Sequence, residues 1–367
     1  MFINKLSLTN FRNIKKINLA FDTPLTILYG NNGQGKTNIV ESIYLLANAT
    51  SFRTSSFKEM ILNDEEISLI EGEIVSTQRK SKQKVVLRKS GKAAYINDIV
   101  VTKFSDYIGK FNAVCFSPED VSLFKDSPSI RRQFLDKELS SLFPVYIKQL
   151  IAFKKVLEER NILLKKKVDK ALLEVLDDKL IESSYDIYKR RKWILEKIIE
   201  FATKIYKQIT DDKQEIRIVY QTFLDEKDEK TYYSKAKEMY KNSLNKDIEK
   251  TFTTIGIHKD DFKVYLNDLQ IDMYASQGQQ RLISLCMKLA VSEIVTKASK
   301  NQPVLILDDA FSELDTIKKQ KLFNYVCNKK QVFIACTDYS TIINKNKNEN
   351  ITLLHIKDGN VIERSFI

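Results

Sequence analysis

Four residues far apart in the chain have the side chains needed to bind and cut a triphosphate: Lys36, Thr37, Asp308 and Asp309. The first two close the run Gly30-Asn31-Asn32-Gly33-Gln34-Gly35-Lys36-Thr37, which continues into Asn38 and has the G-x-x-x-x-G-K-T spacing of a phosphate-binding loop. Its glycines let the backbone turn tightly and point N–H groups at phosphate oxygens, and a helix N-terminus adds positive potential. Lys36 would then reach the β- and γ-phosphates of a bound triphosphate, and the Thr37 hydroxyl would ligate Mg²⁺. Asp308 and Asp309 end the apolar run Pro303-Val304-Leu305-Ile306-Leu307. There Asp308 suits the Mg²⁺, held through water, and Asp309 the general base for the attacking water.

These groups need particular elements to bring them together. Leu25 to Tyr29 reads as a strand and Asn38 to Leu46 as a helix, so the loop lies between strand and helix. The run before Asp308 is apolar throughout, as in a central parallel strand covered on both faces. Between the two lies Tyr274-Ala275-Ser276-Gln277-Gly278-Gln279-Gln280-Arg281, leading into an amphipathic helix through Ala290 with Ser276 as its cap.

That capped run resembles the signature motif of ABC-type ATPases. The resemblance implies that Ser276, Gln277, Gly278 and Gln279 contact the nucleotide held by a partner's phosphate loop, Ser276 acting in trans. Ser312-Glu313-Leu314-Asp315 looks like the D-loop of the same interface, with Ser312 and Asp315 facing the nucleotide. The opening Asn10-Phe11-Arg12-Asn13, soon followed by the phosphate loop, resembles the SMC-like ATPases and makes Arg12 a further nucleotide candidate. Ser51-Phe52-Arg53-Thr54, Ser117-Pro118-Glu119-Asp120, Arg131-Arg132-Gln133-Phe134-Leu135-Asp136 and Gly256-Ile257-His258-Lys259-Asp260-Asp261 narrow the resemblance to the RecF family.

The resemblance implies an α/β fold: an ABC-type ATPase head with a small antiparallel lobe and an inserted, mainly helical arm. It also implies a slow, DNA-dependent ATPase. ATP would drive a head-to-tail homodimer that binds duplex and single-strand junctions at gaps and, with RecO and RecR, promotes loading of RecA. Four departures bear on this. Lys259 stands where an arginine is expected, and lysine lacks arginine's bidentate fork. Asp309 replaces the usual glutamate. Thr337-Asp338 occupies the H-loop position, and no Q-loop glutamine stands out near Phe116 to Asp120.

The chain of 367 residues carries a net charge of +12, which suits a polyanionic partner. Cys115, Cys286, Cys327 and Cys336 lack metal-ligand spacing and read as reduced thiols in the cytosol, and His258 and His355 have no ligand-spaced neighbours. No apolar run approaches 18 residues, so a soluble cytoplasmic protein with no membrane partner is expected. Residues 1–118 and 257–367 are assigned to a split ATPase domain and 119–256 to the arm. Lys84 to Arg88 and Ala93 to Asn97 read as a hairpin. In the arm, Leu173, Leu180, Ile187, Ile194 and Phe201 recur every seven residues, with Leu150, Leu157 and Leu164 as the facing seam. Arg131, Arg132, Lys154, Lys155, Lys165 to Lys167, Arg190, Arg191 and Lys192 are candidate DNA-phosphate contacts. Two other readings share the nucleotide motifs: another SMC-like, DNA-organising ATPase, and a transporter ATPase subunit, which would carry the Q-loop glutamine and the H-loop histidine.

Overall fold

The structure is a computed structural model that describes residues 1–76, 80–166, 169–343 and 350–367. The chain forms two compact units. The first comprises Met1–Val121, Glu200–Glu215 and Ser276–Ile367, and the second Ser122–Ile199 and Ile216–Ala275. Residues 257–275, assigned from sequence to the ATPase domain, therefore cluster with the arm, and 200–215 cluster with the head.

The first unit holds two six-stranded sheets. In one, the spatial order is Asn360–Phe366, Ile351–Lys357, Leu25–Tyr29, Val332–Cys336, Val304–Asp308, Ala113–Phe116, parallel except for the hairpin at its start. Val304–Asp308 and Val332–Cys336 are buried at every position, as their unbroken apolar sequence requires in a sheet covered on both faces. The other sheet is antiparallel, ordered Ile14–Ala20, Phe2–Phe11, Ile67–Val75, Lys80–Arg88, Gly91–Ile96, Ile99–Val100. Its strands alternate buried and exposed residues, and the expected hairpin pairs Arg88 with Gly91 across Lys89-Ser90. Helix Lys36–Asn48 packs into this unit along an almost wholly buried face. It comes so close to Ile67–Val75 that a Cβ on Gly72 would lie 2.3 Å from a Leu46 methyl.

The second unit is mainly helical, with Pro128–Leu142, Pro144–Lys165, most of Lys170–Thr210, and Glu229–Lys250. A three-stranded sheet of Leu269–Gln270, Asp261–Leu266 and Ile216–Gln221 completes it. All five seam residues of the 41-residue helix are buried, Leu173 to Ile194 completely. The facing seam differs from the expectation. Tyr146, Phe153 and Arg160, also seven apart, are the buried stripe of Pro144–Lys165, while Leu150 and Leu157 flank it and only Leu164 is buried. Arg160 holds a seam position because Asp177 and Asp247 both accept from its guanidinium inside the unit.

Candidate functional site

The phosphate loop links strand Leu25–Tyr29 to helix Lys36–Asn48. Gly30 and Gly35 have φ of +138° and +105°, and both are crowded. A Cβ at Gly30 would lie 2.5 Å from the Ile356 carbonyl oxygen, and one at Gly35 3.1 Å from the Asn13 side chain, so neither position accepts another residue without strain. The loop is tied down from the C-terminal hairpin. Asp358 N–H donates to Gln34 Oε1 and Gly359 N–H to the Gln34 carbonyl, each at 2.8 Å. Asn13 adds a contact from the first strand pair, accepting from Asn38 at 2.8 Å.

Lys36 is buried rather than projecting into solvent. Its Nζ donates to the carbonyls of Gly30 and Asn31, both at 2.7 Å, and so bridges the loop from below. Burial lowers its pKa, while nearby Cys336, Asp308 and Asp309 act in the opposite direction. The loop wraps a cavity of about 250 Å³, lined by Asn32 to Asn38 and, opposite, by Arg53, Asp308, Asp309, Ala335, Cys336 and Thr337. Gly30 and Asn31 shape the loop but do not line the cavity.

Strand Val304–Asp308 delivers the acid pair to that wall. Thr37 Oγ1 donates to Asp308 Oδ1 at 2.9 Å. Burial pushes the Asp308 carboxyl up to about 6, with the Thr37 hydrogen bond opposing and the Asp309 charge adding to the rise. A hydroxyl and a carboxylate side by side are hard oxygen donors, and the cost of burying that charge is relieved by a cation. No group of three or more His, Cys, Asp or Glu side chains placed to hold a metal ion occurs among the described residues. Two protein ligands suit Mg²⁺, which keeps waters and takes its remaining oxygens from phosphates.

The signature run lies on a second cavity of the same unit. Ser276 caps helix Gln277–Ser299 in a reciprocal box, accepting from Gln279 N–H at 3.3 Å while Gln279 Oε1 accepts from Ser276 N–H at 3.0 Å. Ser276, Gly278, Gln279, Glu313, Asp315 and Lys318 line a cavity of about 300 Å³ with Tyr206 and Thr210 from the end of the long helix and Asp212 just after it. Gln277 does not line it. Asp315 caps the following helix and is paired with Lys318, which holds its carboxyl below the usual range. Ser312, expected beside the nucleotide, instead donates to Asp309 Oδ2 at 2.9 Å.

Arg12 is not among the cavity-lining residues. Its Nε and Nη2 both donate to Glu41, fully buried on the loop helix, and Nη1 donates to the Glu59 carbonyl. The arginine that does line the cavity is Arg53, which donates to Asn38 at 3.0 Å and reaches Glu41 at 3.4 Å. Sequence alone gave Arg53 no role, although its place just after the loop helix was an available signal. Thr337 lines the cavity at the expected H-loop position. Lys259 lies over the Phe252 ring at 4.9 Å, within the second unit.

The basic residues divide by burial. Arg131 is 4 % exposed, its guanidinium paired with both oxygens of Asp261, and Arg132 donates to the Asp260 carbonyl at 2.8 Å. Arg191, 2 % exposed, bonds Asp136 at 2.9 Å and the Ile257 carbonyl at 2.7 Å. Arg131 and Arg191 are buried and committed to acceptors inside the arm, whereas Arg132 is half-buried and donates there through Nη1. Arg190 stacks over Phe143 and Lys192 pairs with Asp225. Lys154, Lys155, Lys165 and Lys166 are exposed, and Lys167 lies outside the described residues.

Comparison with known proteins places the chain. The family described as the RecF/RecN/SMC N terminal domain matches residues 2–359. The DNA replication and repair protein RecF of Ligilactobacillus salivarius (strain UCC118) is 36% identical over 377 residues, covering 100% of this chain and 98% of that protein. RecF of Bacillus cereus (strain AH820) is 38% identical over 370 residues, with 98% of each covered. A solved structure of the recombination mediator protein RecF with ATP in the RecFOR pathway superposes with a TM-score of 0.89 at 32% identity, covering 100% of this chain and 97% of that one. A solved Smc head bound to the C-winged helix domain of ScpA shares the fold, with a TM-score of 0.56 at 14% identity over 100% of this chain and 98% of that one.

Proposed function

The chain belongs to the RecF family of SMC-like ATPases, and from that premise we propose that it is an ATP-switched DNA-binding protein of recombinational gap repair. The observation that carries this reading is the separation of two half-sites in one unit. The phosphate-loop cavity and the signature cavity share no lining residue, which supports a signature run supplied to the nucleotide by a second copy. The dimer is then head to tail, with ATP between Lys36 of one chain and Ser276 of the other.

In this reading Lys36 gives up its carbonyl partners for the β- and γ-phosphates, and the N–H groups from Gly33 to Thr37 cradle the phosphate oxygens. Thr37 and Asp308 would hold Mg²⁺, which would neutralise negative charge on the phosphates. Asp309 orients the attacking water and takes its proton. Loss of the γ-phosphate removes the bridge and releases the dimer, so slow hydrolysis acts as a timer.

The ATP-bound dimer binds duplex and single-strand junctions, through exposed lysines such as Lys154, Lys155, Lys165 and Lys166. The head of Met1–Val121, Glu200–Glu215 and Ser276–Ile367 and the arm of Ser122–Ile199 and Ile216–Ala275 divide these tasks. RecO and RecR are the partners, and loading of RecA is the outcome, which places the work in the cytoplasm. No helix among the described residues is long and apolar enough to cross a membrane. Light scattering with ATP, with and without gapped DNA, tests the reading: dimers that form only with ATP and persist longer on DNA support it, and a mass independent of nucleotide sinks it.

A further inference from the structure

Arg281 ends the signature run, and neither helix capping nor phosphate binding uses it. It is 7 % exposed. Its Nη2 donates to the Asp309 carbonyl and, at 3.1 Å, to Asp309 Oδ2, while Nη1 lies 3.6 Å from Glu313 Oε1. Asp309 lines the phosphate-loop cavity and Glu313 the signature cavity. One buried guanidinium is therefore tied to a wall of each.

Asp309 is fixed from other directions as well. Ser312 Oγ donates to the same Oδ2 at 2.9 Å and to the Asp309 carbonyl at 3.0 Å. Asp309 has φ +51°, the left-handed region uncommon for a residue with a Cβ, and its N–H donates to the Ala335 carbonyl at 2.9 Å. With Oδ2 engaged by two donors, the direction of the free oxygen is set by Arg281 and Ser312.

We propose that Arg281 is a positioning residue that couples the two half-sites of one chain: a triphosphate from a second copy entering the signature cavity sets, through Arg281, the orientation of Asp309 in the chain's own phosphate-loop cavity. This rests on the proposed reading that the signature cavity receives the partner's nucleotide. A triphosphate at the N-terminus of helix Gln277–Ser299 arrives about 6 Å along the axis from Arg281, at 1.5 Å per residue. At that range it competes with Asp309 and Glu313 for the guanidinium. Lysine cannot replace it, because a point charge on a single nitrogen cannot hold two carboxylates in a planar fork. In a dimer, each base then responds to the nucleotide bound by the other chain, and the two sites hydrolyse in concert.

The test mixes wild-type chains with an excess of Lys36→Ala chains, whose loops are empty, and follows ATP turnover per occupied site beside light scattering. A wild-type chain in such a mixture has its own nucleotide, but its signature cavity faces an empty loop. Its turnover is expected to fall roughly tenfold against the all-wild-type dimer, within the usual range of coupling between sites. With Arg281→Lys in the nucleotide-binding chain, the fall shrinks to less than about twofold, while ATP affinity of the monomer stays unchanged. Glu313→Gln, which loosens only the signature side of the fork, should shrink it too and stands in if the lysine variant does not fold. Equal per-site rates in wild-type mixtures, or a fall of the same size in both variants, overturns the coupling. Absence of any ATP-dependent dimer in the wild type overturns the proposed function as well, and scattering shows that before any rate is compared.

Discussion

The hydroxyl of Thr37 donates to the carboxylate of Asp308 at 2.9 Å, although 271 positions separate them in sequence. The contact joins the start of the loop helix to the end of a central strand. The parallel register puts it there: strands Leu25–Tyr29 and Val304–Asp308 both pair with Val332–Cys336 and point their carboxyl ends the same way. Ligand sites of open α/β sheets form at those ends.

Asp308→Asn tests whether this pair holds a cation. The amide oxygen can still accept from Thr37, and a carboxyl whose burial pushes its pKa to about 6 is removed, so the melting temperature should not fall. ATP affinity with Mg²⁺ against that with EDTA should lose its difference, roughly a 10–100-fold effect if the acid acts through water. Calorimetric titration measures it, and an undiminished Mg²⁺ dependence would move the cation elsewhere.

The two half-sites should fail separately. Lys36→Ala should remove ATP binding by the monomer. Ser276→Arg should leave that binding almost intact and block dimerisation, because the new cation sits on the signature cavity. Asp309→Asn should keep the dimer and slow hydrolysis by roughly 10²–10⁴-fold, the usual contribution of a general base. Scattering and phosphate release read all three, and normal dimers of the Ser276 variant would take the signature run out of the interface.

Much of this was legible in the sequence. The central strands declared themselves as unbroken apolar runs, and the loop and signature motifs as fixed spacings next to a strand and a helix. What escaped was charge that the fold buries. The buried stripe Tyr146, Phe153, Arg160 went unread because it contains a charge whose partners, Asp177 and Asp247, lie 17 and 87 positions away. Arg131 and Arg132 looked like a DNA-facing pair because their acceptors, Asp261 and the Asp260 carbonyl, come from a distant strand and the turn before it. Arg12, expected at the nucleotide, and Arg53, given no role, were misjudged for the same reason: Glu41, fully buried, holds the first and only touches the second, which lines the cavity. A lone sequence shows the sign of a side chain and not the partner that the fold brings to it.

His258 should make the stability of the second unit pH-dependent. Burial lowers its pKa to about 4 from 6.5; the hydrogen bond to the Thr253 carbonyl opposes this, and the positive charges of Lys259, Arg132 and Arg160 add to it. The unfolded chain therefore binds more protons than the folded one between those values. The contribution is complete above pH 6.5 and is lost as pH falls towards 4, on the order of 3 kcal/mol in total. Asp260, whose pKa burial raises, acts in the opposite sense, so the comparison must be with His258→Gln. Melting curves from pH 7.5 to 4.5 should converge for the two proteins as pH falls, and parallel curves would show that His258 titrates alike in the folded and unfolded chain.

DNA binding should be nucleotide-gated and mainly electrostatic, with the exposed lysines of the arm carrying part of it. Each phosphate that the protein no longer neutralises reduces the slope of log affinity against log salt by about 0.9. Replacing Lys154 and Lys155 together, or Lys165 and Lys166 together, with glutamine should therefore lower the slope by up to about two without altering ATP affinity. Arg131→Ala should behave differently. It strands Asp261, whose side chain is 12% exposed, and the expected result is a destabilised arm, by roughly 3–5 kcal/mol for a broken buried pair, with the salt slope of the surviving folded protein unchanged. Titrations of duplex and gapped DNA at several salt concentrations, with ATP, with ADP and without nucleotide, separate these outcomes. A slope change for Arg131→Ala would return that residue to the DNA surface, and equal affinity in all three nucleotide states would end the gating model.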